Sequence, residues 1–246
     1  MLKKEIIIAG LKVNYLVSQD FQAEHALVFL PGWQSPADLF CSVMADTSNL
    51  IALNLPGWGG SERPEASWGL AEYAGFLQEF LGKLNINHPI LIGHSIGAAV
   101  AVEYLDKLAS AKKLIIIGGA IIREKSFKTN VFWVGAKIFR FFLPFVGRDW
   151  RRRLSAGLIN SDYAQAGGLS DIYQRLIKED GQEAFRRLHL PTALIWGEND
   201  QDTPFSQALR LKAMQSTASL DSIPFAGHYC FLDQPSLFKE AINKYL

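Results

Sequence analysis

Short apolar runs alternate along the chain with longer segments in which apolar residues recur every three or four positions. The runs predict buried strands, and the recurring spacing predicts amphipathic helices. The predicted strands lie at residues 3–9, 12–18, 25–30, 50–55, 90–93, 113–117, 192–196 and 219–223. The predicted helices lie at residues 36–45, 70–84, 96–108, 204–214 and 235–245. Because most strands alternate with helices, the pattern predicts an α/β fold with a mostly parallel central sheet flanked by helices.

This alternation stops between residues 121 and 190, where the pattern predicts two or more helices and no strand. The first part of the segment, residues 123–153, is rich in aromatic residues and contains nine lysines and arginines against Glu124 and Asp149. Because its composition differs from that of its surroundings, we predict a helical lid inserted between core strands at residues 121–190. Residues 1–120 and 191–246 would then form the core domain.

The composition of the chain indicates a globular protein with a large core. The chain has 246 residues, of which 49% are hydrophobic and 20% are charged. The formal net charge is +1, which gives no indication of a nucleic acid partner. Cys41 and Cys230 are too far apart to suggest a disulfide framework or a metal site, which fits a reducing compartment. The N-terminal apolar run is too short for a secretory signal, so we expect a cytoplasmic protein.

The segment Gly-His-Ser-Ile-Gly links the predicted strand at 90–93 directly to an alanine-rich helix, with Ser95 at the centre of the turn. In an open α/β sheet, ligands bind beyond the carboxyl ends of the strands, which is where this turn places the serine hydroxyl. Gly93 and Gly97 are expected because a Cβ atom at either position would collide across so tight a turn. The helix that starts at Ile96 would direct backbone N–H groups toward an oxyanion beside Ser95. The segment therefore predicts a nucleophilic serine.

A serine nucleophile needs a base, and the base needs an acid that orients it. His228 is the candidate base, because it lies in a loop after the last predicted strand, at the sheet edge expected for Ser95. The remaining histidines either precede strands or are expected to point into the interior, and they are His25, His88, His189 and His94. The candidate acids lie in the turn after the strand at 192–196, and they are Glu198, Asp200 and Asp202.

Over almost its whole length the chain resembles the serine hydrolases of the α/β-hydrolase fold. GHSIG at 93–97 resembles the family's nucleophile elbow, and AGHYCFLDQP at 226–235 resembles its histidine loop. WGENDQDTP at 196–204 resembles the acid turn of the family, and its register implies that Asp200 is the acid. LPGW at 30–33 resembles the oxyanion loop, which implies that the backbone N–H groups of Trp33 and Ile96 form the oxyanion hole.

Two positions depart from the family pattern. Pro31 stands where the family usually has histidine, which changes the stiffness and polarity of the oxyanion loop but keeps the Trp33 N–H. Asn54, in the segment NLPGWGGS, stands where aspartate is common, and we expect a structural role for it. Asp202 lies two residues beyond Asp200 and remains the alternative acid.

The resemblance implies a Ser-His-Asp triad that cleaves an ester or thioester through an acyl-enzyme and needs no cofactor or metal. A carboxylesterase or thioesterase acting on a small to medium, apolar acyl group is the leading interpretation. The enzymatic alternative is a carbon–carbon bond hydrolase or a lyase that uses the same triad. The non-enzymatic alternative is a ligand-binding receptor or scaffold that keeps the fold.

The aromatic residues of the lid are candidates for an apolar substrate pocket, and the alternative is that they only pack the lid together. The candidates for the pocket are Phe132, Trp133, Phe139, Phe142 and Phe145. Basic residues such as Lys137 and Arg140 could also rest the lid on an anionic membrane. No second membrane-binding feature accompanies them, so we expect no membrane contact, and the sequence gives no indication of the oligomeric state.

Overall fold

The computed structural model describes residues 1–123 and 167–246. Its strands are β1 Leu2–Ile8, β2 Leu11–Val17, β3 Leu27–Leu30, β4 Leu50–Leu53, β5 Ile90–His94, β6 Lys113–Ile117, β7 Thr192–Gly197 and β8 Ser219–Ile223. Its α-helices, within those ranges, are α1 Ala37–Val43, α2 Leu70–Lys83, α3 Ile96–Lys107, α4 Ser170–Leu176, α5 Gln182–Arg187, α6 Phe205–Met214, α7 Cys230–Asp233 and α8 Pro235–Asn243. The predicted strands and helices of the core are therefore all present, and α7 is an additional short helix.

The eight strands form one sheet in the order β1-β2-β4-β3-β5-β6-β7-β8. β2 is antiparallel to both β1 and β4, and every neighbouring pair from β4 to β8 is parallel. The prediction of a mostly parallel sheet flanked by helices is confirmed. In register, Leu30 pairs with Gly93 and His94 pairs with Ile117, so the carboxyl ends of β3, β5 and β6 lie level at one edge.

The core has two layers because successive side chains of a strand point to opposite faces of the sheet. On β5, Leu91 packs into the cluster that includes α2 and α3, whereas Ile92 packs into the cluster that includes α1 and α8. Helix α2 contributes buried residues at helical spacing, among them Tyr73, Leu77 and Phe80. Both faces of the central strands are thus covered, which explains their nearly continuous apolar sequences.

The described parts of the predicted lid, residues 121–123 and 167–190, pack against the core. Ile172 on α4 and Phe185 on α5 are fully buried in the cluster that includes α3. These two parts of the insertion also contact each other, because Gly181 N–H donates to the Ile121 carbonyl over 2.9 Å. The boundaries of the lid stay a prediction. The five candidate pocket aromatics lie outside the described residues, and they are Phe132, Trp133, Phe139, Phe142 and Phe145.

Within residues 1–123 and 167–246, no helix combines the length and the apolar character that crossing a membrane requires.

Candidate active site

The turn between β5 and α3 holds Ser95 in an unusual backbone conformation. Its φ of 52° and ψ of −118° lie in a region that favours glycine, so the serine backbone is strained. A Cβ atom on Gly93 would lie 2.5 Å from the Cα of Ala98, and a Cβ atom on Gly97 would lie 2.3 Å from the Leu30 carbonyl oxygen. Both contacts are with backbone atoms, so this tight turn requires both glycines.

Asp200 and His228 meet at the carboxyl ends of β7 and β8. The Nδ1 atom of His228 lies 2.9 Å from Oδ2 of Asp200. The Asp200 side chain is fully buried, whereas 10% of the His228 side chain is exposed. Because a carboxylate oxygen accepts, Nδ1 of His228 carries the proton and Nε2 is left to act as a base.

The Asp200 carboxylate is held by hydrogen bonds from its own turn. Its Oδ1 accepts the backbone N–H groups of Asp202 and Thr203, both at 2.9 Å. Its Oδ2 lies 2.8 Å from the Thr203 hydroxyl, which is also within 3.3 Å of Nδ1 of His228. Burial raises the pKa of Asp200, but the hydrogen bond and charge of His228 and the bonds from Thr203 outweigh it, so the pKa lies below its usual value. Asp200 is therefore ionised at neutral pH.

The two other candidate acids are placed differently. The side chains of Asp202 and Glu198 belong to exposed residues. Glu198 accepts a hydrogen bond from the Ser222 hydroxyl at 2.9 Å, and Asp202 meets Asp200 through its backbone N–H. The geometry therefore favours Asp200 as the partner of His228.

The loop that follows β6 contacts both Ser95 and this pair. The backbone N–H of Ala120 donates to the Ser95 carbonyl at 2.9 Å. In the same loop, a Cβ atom on Gly118 would lie 3.2 Å from Oδ2 of Asp200 and 3.3 Å from Nδ1 of His228. Ser95 is partly exposed, and its hydroxyl makes no hydrogen bond to any residue that the structure describes. Hydrogen bonds of catalytic groups are often long or poorly aligned until substrate binds, so this geometry is compatible with a nucleophilic serine.

The loop after β3 lies against the serine turn. A Cβ atom on Gly32 would lie 3.1 Å from the Cβ of Ser95. Among the described residues, neither the Trp33 N–H nor the Ile96 N–H donates to a protein acceptor. Within the described ranges both N–H groups are thus available for the oxyanion role that the family resemblance implies. A Cβ atom on Gly97 would lie 2.6 Å from the Pro31 carbonyl oxygen. Pro31, which replaces the usual histidine, therefore contributes to the contact between the loop and α3.

Aromatic side chains surround Trp33. Its ring centroid lies 5.1 Å from that of Trp58 and 5.1 Å from that of Tyr173 on α4. The indole nitrogens of Trp33 and Trp58 are buried without a hydrogen-bond partner among the described residues. The apolar surface formed by these three rings carries the two indole N–H groups and the Tyr173 hydroxyl as its polar groups.

Asp200, Asp202 and His228 each offer one ligand atom, and these atoms lie within 4.8 Å of one another. The set could hold a metal ion. However, both Asp200 oxygens already accept hydrogen bonds, and Nδ1 of His228 faces Asp200. This hydrogen bonding fits an acid that orients a histidine better than a metal ligand set.

The two cysteines are unsuited to nucleophilic chemistry. Cys41 and Cys230 are both buried and free. Burial raises the pKa of each thiol to about 12, so neither forms a thiolate at neutral pH.

Sequence reasoning missed Thr203 and one contact of His94. Thr203 lies in the acid turn between Asp200 and Pro204, and this position was the one signal for its contact with Asp200. His94 points into the interior as expected and is 0% exposed, but its Nε2 also lies 3.0 Å from the backbone carbonyl oxygen of His228. The expected structural role of Asn54 is evident, because its Oδ1 accepts the N–H of Ala37 at the start of α1 over 2.8 Å.

Residues 27–241 match the model of the alpha/beta hydrolase family. The uncharacterized hydrolase YugF of Bacillus subtilis is 22% identical over 99% of this chain and 97% of that protein. The fold is similar to that of the esterase EaEST from Exiguobacterium antarcticum, with a TM-score of 0.76, 19% identity and 99% of both chains covered. It is also similar to that of the meta-cleavage product hydrolase CumD from Pseudomonas fluorescens IP01, with a TM-score of 0.71, 19% identity and coverage of 98% of this chain and 96% of that one.

Proposed function

Because the chain belongs to the alpha/beta hydrolase family, we propose that it is a serine hydrolase that cleaves an ester or thioester of a small to medium, apolar acyl group. The observation that carries the proposal is the 2.9 Å contact between His228 Nδ1 and the buried Asp200 carboxylate, at the same sheet edge as a serine with a strained backbone. This arrangement provides the three groups that an acyl-transfer reaction needs, which are a nucleophile, a base and an acid that fixes the base.

In the proposed mechanism, the Ser95 hydroxyl attacks the acyl carbon while Nε2 of His228 takes its proton. The Asp200 carboxylate holds Nδ1–H of His228 and stabilises the imidazolium that forms. The Trp33 and Ile96 N–H groups donate to the oxyanion, and removing one such donor costs about 3 kcal/mol of transition-state stabilisation. His228 then gives its proton to the leaving group, and water cleaves the acyl-enzyme by the same route.

The preference for an apolar acyl group is supported by the aromatic surface at Trp33, Trp58 and Tyr173. Because Trp33 belongs to the proposed oxyanion loop, this surface lies next to the place where the acyl carbonyl would bind. We extend the proposal to the five lid aromatics named above, which would complete the apolar pocket. The reaction requires no cofactor, and we propose that the protein works in the cytoplasm without membrane contact.

A two-part experiment tests the proposal. First, the purified protein is treated with a fluorophosphonate probe, with Ser95→Ala as the control. Second, p-nitrophenyl esters and acyl thioesters of graded chain length are assayed with the wild type, Ser95→Ala, His228→Ala and the double variant. We expect labelling at Ser95 and losses of several orders of magnitude in kcat for each single variant, with little further loss in the double variant, because these residues act as a unit.

The outcomes separate the alternatives. Probe labelling without turnover of any ester or thioester, but with cleavage of a carbon–carbon bond substrate, would replace the proposed reaction by that of a carbon–carbon hydrolase. The absence of both labelling and turnover would favour a ligand-binding protein that keeps the fold. Near-full activity of Ser95→Ala would exclude the proposed mechanism.

A further inference from the structure

His94 lies between three loops of the candidate active site. It directly precedes Ser95, and its Nε2 lies 3.0 Å from the backbone carbonyl oxygen of His228. A Cβ atom on Gly32, in the loop after β3, would lie 2.8 Å from Nδ1 of His94. A single side chain therefore contacts the serine turn, the histidine loop and the oxyanion loop.

The protonation state of His94 follows from its contacts. A backbone carbonyl only accepts, so Nε2 of His94 must carry the proton that it donates to the His228 carbonyl. Its Nδ1 is buried without a hydrogen-bond partner among the described residues. Burial, with the nearby charge of His228, lowers the pKa of His94 to about 3, so the ring is neutral whenever the enzyme is folded at neutral pH. His94 is therefore a fixed hydrogen-bond donor and not an acid or base of the reaction.

Packing fixes the orientation of that donor. The His94 ring centroid lies 4.7 Å from that of His228, 5.0 Å from that of Tyr229 and 5.3 Å from that of Phe231. Its side chain is completely buried, so the ring cannot rotate away without displacing these neighbours. The loop that carries His228 is also held by the 2.7 Å bond from Gly227 N–H to Asp233 Oδ2 and by the 2.8 Å bond from Asn199 N–H to the Ala226 carbonyl oxygen.

We propose that His94 is a positioning residue that sets the place of His228 by holding its backbone carbonyl, so that Nε2 of His228 is presented to Ser95. This inference rests on the proposed function, in which His228 is the base. Asp200 fixes the ring of His228 through Nδ1, and His94 fixes its backbone from the other side. Because His94 directly precedes Ser95, its bond to the His228 carbonyl fixes the position of the base relative to the serine turn.

The test compares three replacements of His94. His94→Phe keeps a ring of similar size but removes the donor. His94→Gln places an amide N–H near the position of Nε2 and should restore the bond. His94→Asn keeps a polar amide, but its side chain is too short to reach the His228 carbonyl. It is a second variant without this hydrogen bond, in case His94→Phe does not fold. For each variant, kcat and KM are measured with the p-nitrophenyl ester that the wild type cleaves fastest. The thermal unfolding temperature of each variant is also recorded.

We expect His94→Phe and His94→Asn to lower kcat about 10- to 100-fold with KM within about twofold of the wild type, because a misplaced base impairs the chemical step. His94→Gln should remain within about fivefold of the wild-type kcat. If His94 were merely a core residue, the variants would unfold at lower temperatures while the folded enzyme kept its kcat. Wild-type kcat in a folded His94→Phe or His94→Asn variant would overturn the proposal.

A second readout does not depend on turnover. The Nδ1 proton of His228 that faces Asp200 should give a low-field proton NMR signal that is missing in His228→Ala. His94→Phe and His94→Asn should shift or broaden this signal, and His94→Gln should retain it. An unchanged signal in all three variants would refute the positioning role. Because this result does not depend on hydrolysis, a failure of this inference can be distinguished from a failure of the proposed function.

Discussion

Oδ2 of Asp200 and Nδ1 of His228 lie 2.9 Å apart although 28 residues separate them in the chain. They meet because β7 and β8 are parallel neighbours, with Gly197 paired to Ile223, so the turns that follow both strands leave the sheet at the same edge. The sheet thus brings an acid and a base together without any local sequence motif that contains both.

The first prediction identifies the acid. Asp200→Asn should keep the fold but leave His228 in the wrong tautomer, which costs a factor of about 10⁴ in kcat in other triads. Asp202→Asn should change kcat only slightly, because Asp202 is exposed and contacts Asp200 through its backbone N–H, which the substitution leaves in place. Steady-state kinetics of the two variants check this, and the reverse ranking would assign the catalytic role to Asp202.

The second prediction concerns Thr203, whose hydroxyl lies 2.8 Å from Asp200 Oδ2 and 3.1 Å from the Gly118 carbonyl oxygen. Thr203→Val keeps the shape of the side chain but removes the hydroxyl. We expect a decrease in kcat of about tenfold and a loss of about 1–3 kcal/mol in the free energy of unfolding, because a buried acceptor loses the one proton that this hydroxyl donates. Thr203→Ser, which keeps the hydroxyl, is the matched control. Equal kcat values for valine and serine would show that the hydroxyl has no role in orienting the acid.

The sequence was sufficient for the fold because each buried strand is a nearly continuous apolar run, and each long helix has one apolar face. Ends of elements were less predictable. The strand predicted at 50–55 ends at Leu53, since Asn54 turns away to accept the N–H of Ala37. The contact between His94 and the His228 carbonyl joins residues 134 positions apart, so it depends on the sheet register, which apolar patterning alone does not fix.

The third prediction concerns the strain at Ser95. Because φ is 52°, Ser95→Gly should relieve about 1–3 kcal/mol of strain, whereas Ser95→Ala keeps it. The greater freedom of glycine in the unfolded chain offsets about 0.4–1 kcal/mol of that gain. We therefore expect Ser95→Gly to unfold at a higher urea concentration than Ser95→Ala. As a control, exposed Ser42 lies in α1, where glycine should be less stable than alanine by about 1 kcal/mol. If the alanine variant were the more stable one at both positions, the backbone of Ser95 would not be strained.

The fourth prediction concerns acid stability. The unfolded chain protonates His94 near its usual pKa of 6.5, whereas burial lowers the pKa to about 3 in the folded protein. Between these values the unfolded state binds more protons, so the free energy of unfolding falls as the pH decreases from about 6.5 toward 3. The slope contributed by one group is at most about 1.4 kcal/mol per pH unit.

Urea unfolding at several pH values from 7 to 4.5 measures this slope while most carboxylates stay ionised. His94→Gln removes the titrating group and should reduce the dependence on pH by as much as one proton. Identical slopes in the wild type and His94→Gln would mean that the folded protein tolerates a charged His94.

The last prediction compares two helical glycines that meet different surroundings. A Cβ atom on Gly97 in α3 would lie 2.3 Å from the Leu30 carbonyl oxygen and 2.6 Å from that of Pro31. Apart from its chain neighbours and the adjacent backbone of its own helix, a Cβ atom on Gly82 in α2 would meet no described atom within 4 Å. Gly82→Ala should raise the free energy of unfolding by about 0.4–1 kcal/mol and leave hydrolysis unchanged, because alanine restricts the unfolded chain at no steric cost.

Gly97→Ala should have the opposite effect. The added methyl group would have to separate α3 from the loop after β3, and such overpacking costs about 1–3 kcal/mol or more. The same displacement would move the Trp33 N–H away from Ser95, so any folded Gly97→Ala protein should also lose at least about tenfold in kcat, since the donors of an oxyanion hole must keep their geometry. Urea unfolding and ester hydrolysis of both variants check the pair. Wild-type stability and activity in Gly97→Ala would mean that the loop and the helix are farther apart than this contact requires.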